Sequence, residues 1–322
     1  VSRARTCARA CVRSHFTFWS IAVTKRAVIV GVNDYSVQGY NSLRFCVPDA
    51  ASIYHMLRDA FGFDPQDMFY LADSAATSSR IRQSLRYCLT QSQPGDVVCL
   101  YYAGHGARTA NPSDPTQMFE TIIPYSGQHI SDHEIFALAD SLEQSVVNFT
   151  LILDSCHSGG MHDESERTRR SRSPRFSADL VRQLTQCRTL FPCGICLPPA
   201  NRAVLNGNIR NAIARNTGVV VEEDTARRLV QQSKSTLIAA SSAAQTSQEH
   251  EAIGHGFLTK SFLDLVNSSN FSIDHHVLID DLSRGVGALM GRHFPGESQT
   301  PQLRGQANRM QAEFLTGWND SR

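Results

Sequence analysis

Val97-Val98-Cys99-Leu100-Tyr101-Tyr102-Ala103-Gly104-His105-Gly106 is the stretch that decides the fold. It is a continuous apolar run of strand length that passes at once into two glycines flanking a histidine. Such a run, bounded by turn residues, marks a strand covered on both faces, as in a parallel sheet. The form recurs at Phe149-Thr150-Leu151-Ile152-Leu153, which enters Asp154-Ser155-Cys156-His157-Ser158-Gly159-Gly160, and again at residues 27–32 and 236–240. Met68-Phe69-Tyr70-Leu71 is a shorter strand. Helical spacing lies between these runs. Residues 48–61 place Ala50, Ile53, Met56, Leu57 and Ala60 on one face and stop at Gly62, and residues 78–91 carry Ile81, Leu85 and Leu89. Ser131 caps a helix through residue 142, with Glu134 as its capping-box partner. Residues 257–266 and 277–290 read as further helices, and residues 310–315 as a closing strand or turn. Strands alternating with helices predict an α/β fold, a three-layer α/β/α arrangement with a mostly parallel central sheet. Ligand sites in such folds lie beyond the carboxyl ends of the strands.

Composition narrows the class. The chain has 322 residues, 41% hydrophobic and 19% charged, which excludes global disorder. Its 31 basic and 30 acidic residues give a net charge of +1, so neither a nucleic-acid partner nor a membrane surface is expected. The apolar stretch at residues 16–23 is broken by Thr17 and Ser20 and is far short of the ~20 residues that span a bilayer. The expectation is a soluble monomer. Nine cysteines are an odd number, and Cys46, Cys88, Cys99 and Cys156 are scattered through regular segments, as in a reducing compartment. The reading is cytoplasmic, or organellar if residues 1–25 act as a transit peptide. That leader carries Arg3, Arg5, Arg9 and Arg13, and the first acidic residue of the chain is Asp34.

Four segments follow: the leader 1–25, a catalytic region 26–164, an Arg-rich flexible linker 165–234, and a C-terminal region 235–322. The linker opens with Arg167, Arg169, Arg170, Arg172 and Arg175 among Ser, Thr and Pro. Further on, Cys193 and Cys196 have metal-ligand spacing, with Cys187 near by, yet no complete four-ligand set is visible.

The chemistry is read from two loops. Parallel neighbouring strands bring the turn at His105 and the turn at Cys156 to one sheet edge. A thiol becomes a competent nucleophile when a base such as imidazole takes its proton. Gly104 and Gly106 let the backbone turn sharply and approach a substrate. Main-chain N–H groups of Gly106 and Cys156 are candidates for binding a developing oxyanion. Gly-His-Gly alone is usually a turn and a lone Cys usually a packed thiol; the pair, after two buried strands, points to catalysis.

Tyr102-Ala103-Gly104-His105-Gly106 together with Asp154-Ser155-Cys156-His157-Ser158-Gly159 resembles the catalytic dyad of the caspase-like cysteine peptidases, with Cys156 51 residues after His105. Within them it is similar to the metacaspases and orthocaspases. Val30-Gly31-Val32-Asn33-Asp34-Tyr35 and Leu43-Arg44-Phe45-Cys46-Val47-Pro48-Asp49-Ala50 extend the likeness, as do residues 239–246 and Gly254-His255-Gly256-Phe257-Leu258-Thr259. The resemblance implies a large-subunit-like region at 26–164 and a small-subunit-like region at 235–322. It implies a cysteine endopeptidase with His105 as general base and Cys156 as nucleophile. It also implies a first specificity pocket lined by Cys46, Asp49, Asp154 and Ala103, where the family often has Ser in place of Ala103. Two carboxylates suit the forked guanidinium of Arg, so cleavage after Arg or Lys in protein or peptide substrates is expected. Self-cleavage is expected at the five linker arginines. The alternative is a non-catalytic caspase-like interaction module. Many relatives take calcium. Asp132 and Asp163 match ligand positions, but His133 and Phe119 stand where acidic residues are expected, so no cofactor is expected to be required. His157 is read as a structural loop residue, and His255 as packing against the loop rather than taking part in the chemistry. Asp73, Asp96 and Asp114 are read as ordinary loop and strand-end carboxylates.

Overall fold

The structure is a computed structural model that describes residues 23–111, 114–141, 148–155, 235–242, 245–268 and 274–316. The linker, Cys156, His157, Asp163 and the five linker arginines lie outside the described residues, as does the leader up to residue 22. In chain order the elements begin with β1 (Lys25–Gly31), α1 (Cys46–Phe61), β2 (Met68–Ala72), α2 (Ser78–Gln91) and β3 (Val97–Gly104). A second small sheet follows, β4 (Gly106–Asn111), β5 (Asp114–Ile122) and β6 (Ile130–Ser131), then α3 (Asp132–Ser141) and β7 (Asn148–Ser155). The C-terminal region supplies β8 (Ser235–Ala239), the pair β9 (Glu249–His250) and β10 (His255–Gly256), α4 (Phe257–Ser268), α5 (His275–His293), β11 (Gln302–Arg304) and α6 (Ala307–Met310).

The main sheet has the order β11-β8-β7-β3-β1-β2. Its first five strands in sequence are parallel, and only β11 runs antiparallel, against β8. All eight residues of β3 and of β7 are buried, as their continuous apolar runs require. Ile53 and Leu57 of α1, Leu258 and Phe262 of α4 and Leu278 and Leu282 of α5 share one core with Ile29, Cys99, Tyr101 and Ile152. Ile81, Leu85 and Leu89 of α2 join Ile135 and Phe136 of α3 on the other face, over Val28, Val30, Leu100 and Leu151. These are the three expected layers.

Local signals explain most boundaries. Helix α2 spans the expected residues, with the Thr77 hydroxyl accepting from Arg80 N–H at 3.3 Å. Helix α1 begins two residues before Pro48, which is tolerated in a first turn where its missing N–H has no helical partner. Gly62 ends it at φ 68°, the left-handed cap its missing Cβ permits. Ser131 accepts from Glu134 N–H at 3.1 Å, but the Glu134 carboxylate is drawn to Arg82, at 2.8 Å, so only half of the capping box forms. The closing strand is Gln302–Arg304; residues 310–315 take the turn alternative, from the last residue of α6 onward, and bury Phe314 and Leu315. The β4–β5 hairpin was not expected.

Two aspartates read as ordinary are structural. Asp96 is buried and accepts from Thr24 N–H (2.8 Å), Gln93 N–H (2.9 Å) and Arg26 Nη1 (3.0 Å), closing the amino end of the sheet. Asp73, at φ 42°, accepts from the N–H groups of Asn33 and Asp34 and thereby fixes the chain leaving β1.

His275 opens α5 fully buried, donating from Nδ1 to Ala312 C=O at 2.9 Å, with its ring edge-on to Phe314. Burial pushes it down to about 4. The unfolded chain therefore binds the extra proton between pH 6.5 and about 4, so this contribution is present above 6.5 and is lost as pH falls. We expect the stability advantage of wild type over His275→Gln to shrink by about 3 kcal/mol between pH 7 and pH 4, read by urea titration at each pH. A difference independent of pH would contradict it. No helix among the described residues is long and apolar enough to cross a membrane.

Candidate active site

Strand β1 lies between β2 and β3, with α1, which follows β1, packed on one face and α3, which follows β3, on the other. The connections after β1 and β3 therefore diverge, and in such folds the crevice for ligands lies at these carboxyl ends. His105 stands there, directly after β3. The ladder pairs Gly104 with Ser155, the last described residue of β7. Cys156 is the next residue in the sequence and lies outside the described residues.

The loop after β1 reaches over His105. Asn33 holds this loop by its side chain, donating to Arg44 C=O at 3.0 Å and accepting from Val47 N–H at 3.2 Å. The loop brings Asn41 C=O to 2.7 Å from His105 Nε2. A carbonyl only accepts, so Nε2 carries a hydrogen; in a neutral ring Nδ1 then keeps the lone pair. That is the arrangement a general base needs. The Tyr35 ring lies 4.5 Å from the imidazole centroid and Tyr40 6.1 Å. Below the ring, His105 N–H donates to the Tyr35 hydroxyl and His105 C=O accepts from the Tyr102 hydroxyl, both at 2.7 Å.

Gly104 differs from its sequence reading. A Cβ there would stand 2.3 Å from the Tyr35 oxygen and 2.5 Å from the Tyr102 oxygen. The glycine makes room for two interior phenols rather than for a substrate.

The expected pocket residues come together. Ala103 pairs with Asp154 in the ladder, both buried. Cys46 and Asp49 sit one turn apart in the first turn of α1. Asp49 is 2% exposed and Asp154 6%, too buried to be held as charges by solvent alone. Asp49 accepts from Gly256 N–H (2.9 Å) and His255 Nδ1 (2.5 Å). Asp154 accepts from the Ser247 hydroxyl (2.9 Å), the Thr259 hydroxyl (2.7 Å) and Thr259 N–H (3.1 Å). Burial, and after it the neighbouring Asp154, hold the Asp49 carboxyl well above the usual range. Burial raises Asp154 too, against its hydrogen bonds. A Cβ on Gly256 would fall 2.7 Å from Asp154 Oδ2 and 3.1 Å from Asp49 Oδ2, so the two oxygens converge on the space a glycine leaves open.

Sequence reasoning missed the donors to these carboxylates. His255 was read as packing against the loop, yet it pairs with Asp49, and burial lowers its basicity so that the neutral ring donates. Glu249 accepts from Arg44 and Phe45 N–H just ahead of α1, whose N-cap residue Phe45 offers no side-chain acceptor. Ser247 carries no motif that names it, and Thr259 stands in a stretch noted for its likeness without a role. Their shared partner, Asp154, lies 93 and 105 residues away.

Asp132 is buried, and burial followed by the charge of Glu120 pushes it up to about 7. The Arg304 guanidinium approaches Glu120 Oε1 at 3.9 Å. Asp132 and Glu120 are the carboxylates described at this position, and Asp163, the other expected ligand, lies outside the described residues. The described thiols have other roles: burial raises both Cys88 and Cys99, the latter to about 12, which leaves them inert as nucleophiles.

The profile of the metacaspase peptidase C14 domain matches residues 25–165. Metacaspase-4 of Arabidopsis thaliana is 32% identical over 152 residues, 45% of this chain and 36% of that protein. Metacaspase-1 of Schizosaccharomyces pombe is 31% identical over 153 residues, 43% of this chain and 35% of that protein. The chain thus spans about a third of the length of these curated relatives. Caspase-1 from Spodoptera frugiperda superposes with a TM-score of 0.52 at 8% identity, over 93% of this chain and 92% of that one. A Geobacter sulfurreducens protein superposes with a TM-score of 0.60 at 20% identity, over 92% of this chain and all of that one. At such identities the likeness concerns the fold alone. Residues 25–165 are thus similar to the metacaspase peptidase C14 domain, and the described residues share the fold of the caspase-like structures.

Proposed function

We propose that the protein is a cysteine endopeptidase that cuts after Arg or Lys, with Cys156 as nucleophile and His105 as base. The observation that carries the specificity is the convergence of Asp49 and Asp154 beside Gly256. Their partners named above are uncharged donors, and burial disfavours their ionised forms. An entering guanidinium or ammonium restores the balance, since it supplies the charge that desolvation withheld. In the proposed reaction His105 Nδ1 takes the thiol proton and Sγ attacks the carbonyl carbon before the scissile bond. The resulting oxyanion lies against the N–H groups of Gly106 and Cys156. The imidazolium then protonates the departing amine, and water hydrolyses the thioester with His105 again as base.

The reading extends to the linker and to metal dependence. Cleavage at Arg167, Arg169, Arg170, Arg172 or Arg175 follows from their proposed specificity match and their closeness in sequence to Cys156. Activity is proposed to need no calcium, because His133 and Phe119 stand where the resemblance expects acidic residues.

The test is a panel of peptides differing only in the residue before the cut (Arg, Lys, Asp or norleucine), with wild type and Asp154→Asn, in calcium and in excess chelator. Arg and Lys peptides should be cleaved best, with or without calcium. Asp154→Asn should lose about 2–5 kcal/mol on the Arg peptide, a drop in kcat/KM of about 30- to 5,000-fold. Wild type that cleaves after Asp or norleucine as readily as after Arg would overturn the assignment.

A further inference from the structure

Three oxygen atoms and one N–H form a closed circuit around the main chain of His105. The His105 N–H points at the Tyr35 oxygen, at 2.7 Å. With that oxygen accepting, the Tyr35 hydrogen runs to the Tyr102 oxygen at 3.0 Å. The Tyr102 oxygen lies 2.7 Å from His105 C=O and 2.8 Å from Ile123 C=O, to which it donates, and Ile123 N–H itself donates to His105 C=O at 3.0 Å. Both polar groups of one peptide residue are thus held by two side chains 67 residues apart, each fully buried. No water is needed to complete the circuit, and Gly104 is kept free of a Cβ so that the phenols can enter. The Tyr35 ring in addition stands against the imidazole.

We propose that Tyr35 and Tyr102 are positioning residues for catalysis: they hold the backbone of His105 so that its Nε2 meets Asn41 C=O and its Nδ1 is presented to the crevice. This rests on the reading of His105 as the base. Neither hydroxyl reaches a substrate; each acts through His105. The physical argument is one of tolerance. An imidazole on a glycine-flanked turn has backbone freedom on both sides, and an error of about 1 Å in such a group costs on the order of 100-fold in rate. A phenol circuit anchored in β3 removes that freedom. Ordinary core packing does not require two hydroxyls here, since Phe fills nearly the same volume.

The experiment uses the full chain as wild type, Tyr35→Phe, Tyr102→Phe, the double variant, and Asp96→Asn as a control destabilised at the opposite end of the sheet. Two quantities are read: kcat and KM on an Arg peptide from pH 5 to 9, and the ¹⁵N resonances of the His105 ring. Each Phe variant should lower kcat by about ten- to a hundredfold with KM within about twofold. The double variant should be little worse than either single one, because the circuit acts as a unit. The ring should lose its single Nε2–H tautomer in the Phe variants and keep it in Asp96→Asn, whose kcat stays at the wild-type value. Unchanged kcat together with an unchanged tautomer in Tyr35→Phe would overturn the proposal. Should Tyr102→Phe fail to fold, Tyr35→Phe decides alone. If wild type cleaves no basic peptide, the peptidase reading fails, and the ¹⁵N spectra still decide whether the tyrosines hold the ring.

Discussion

His105→Ala is expected to lower kcat on an Arg peptide by roughly 100- to 10,000-fold, the range a positioned general base supplies. Cys156→Ala should remove turnover to the limit of detection; among the described thiols, Cys88 and Cys99 are fully buried in the core, and Cys46 is buried at the start of α1. The combination is the sharper observation. Thiol and imidazole work as one unit, so the double variant should be no slower than Cys156→Ala alone. KM should move little in His105→Ala, since the pocket carboxylates are untouched. The measurement is steady-state hydrolysis with active-site titration of the wild type. Residual activity in Cys156→Ala within tenfold of wild type would remove the nucleophile assignment.

Gly256→Ala is the second large effect. One added methyl would lie 2.7 Å from Asp154 Oδ2 and 3.1 Å from Asp49 Oδ2, where something must shift. Asp154 cannot yield cheaply, because Ser247 and both polar groups of Thr259 hold it. Nor can Gly256 retreat, since its own N–H is bonded to Asp49 and its neighbour His255 to the same carboxylate. The methyl therefore occupies the proposed place of the substrate cation. We expect kcat/KM on Arg and Lys peptides to fall by about 100-fold or more, from loss of a desolvated charge pair. Overpacking should cost about 1–3 kcal/mol of stability. Parallel thermal melts separate the two. A variant with near-normal hydrolysis of Arg peptides would show that the cation binds elsewhere.

Much of this was legible in the sequence, and for a physical reason. Strands buried on both faces must be continuously apolar, so 97–102 and 149–153 announce the middle of the sheet, and the chemistry of an α/β fold lies where such strands end. Helix α2 was legible because its cap, Thr77, is local. Helix α1 was less so: Asn33 holds a first-turn N–H from the loop before it, Glu249, some 200 residues on, holds the two N–H groups that lead into it, and a first-turn proline displaced its apparent start. Strand β11 is three half-buried residues at a sheet edge, where packing imposes no alternation to read. The pocket carboxylates could be named from their neighbours in sequence. Their donors could not, because Ser247, His255 and Thr259 are ordinary residues given meaning only by the docking of β9, β10 and α4. Asp73 and Asp96 were misjudged for the same reason: an aspartate that collects distant N–H groups looks, in one dimension, like any loop aspartate.

The distribution of the pocket along the chain has a consequence for the order of events at the ribosome. The strand ends carrying His105 and leading to Cys156 are translated before residue 160, whereas the groups that hold Asp49 and Asp154 come from Ser247 to Thr259. A nascent chain halted anywhere between them would carry the proposed nucleophile and base without the groups that hold the proposed pocket carboxylates. On the proposed reading, discrimination would therefore be the last property the polypeptide acquires. The stretch that holds those carboxylates also marks that synthesis has reached the C-terminal helices.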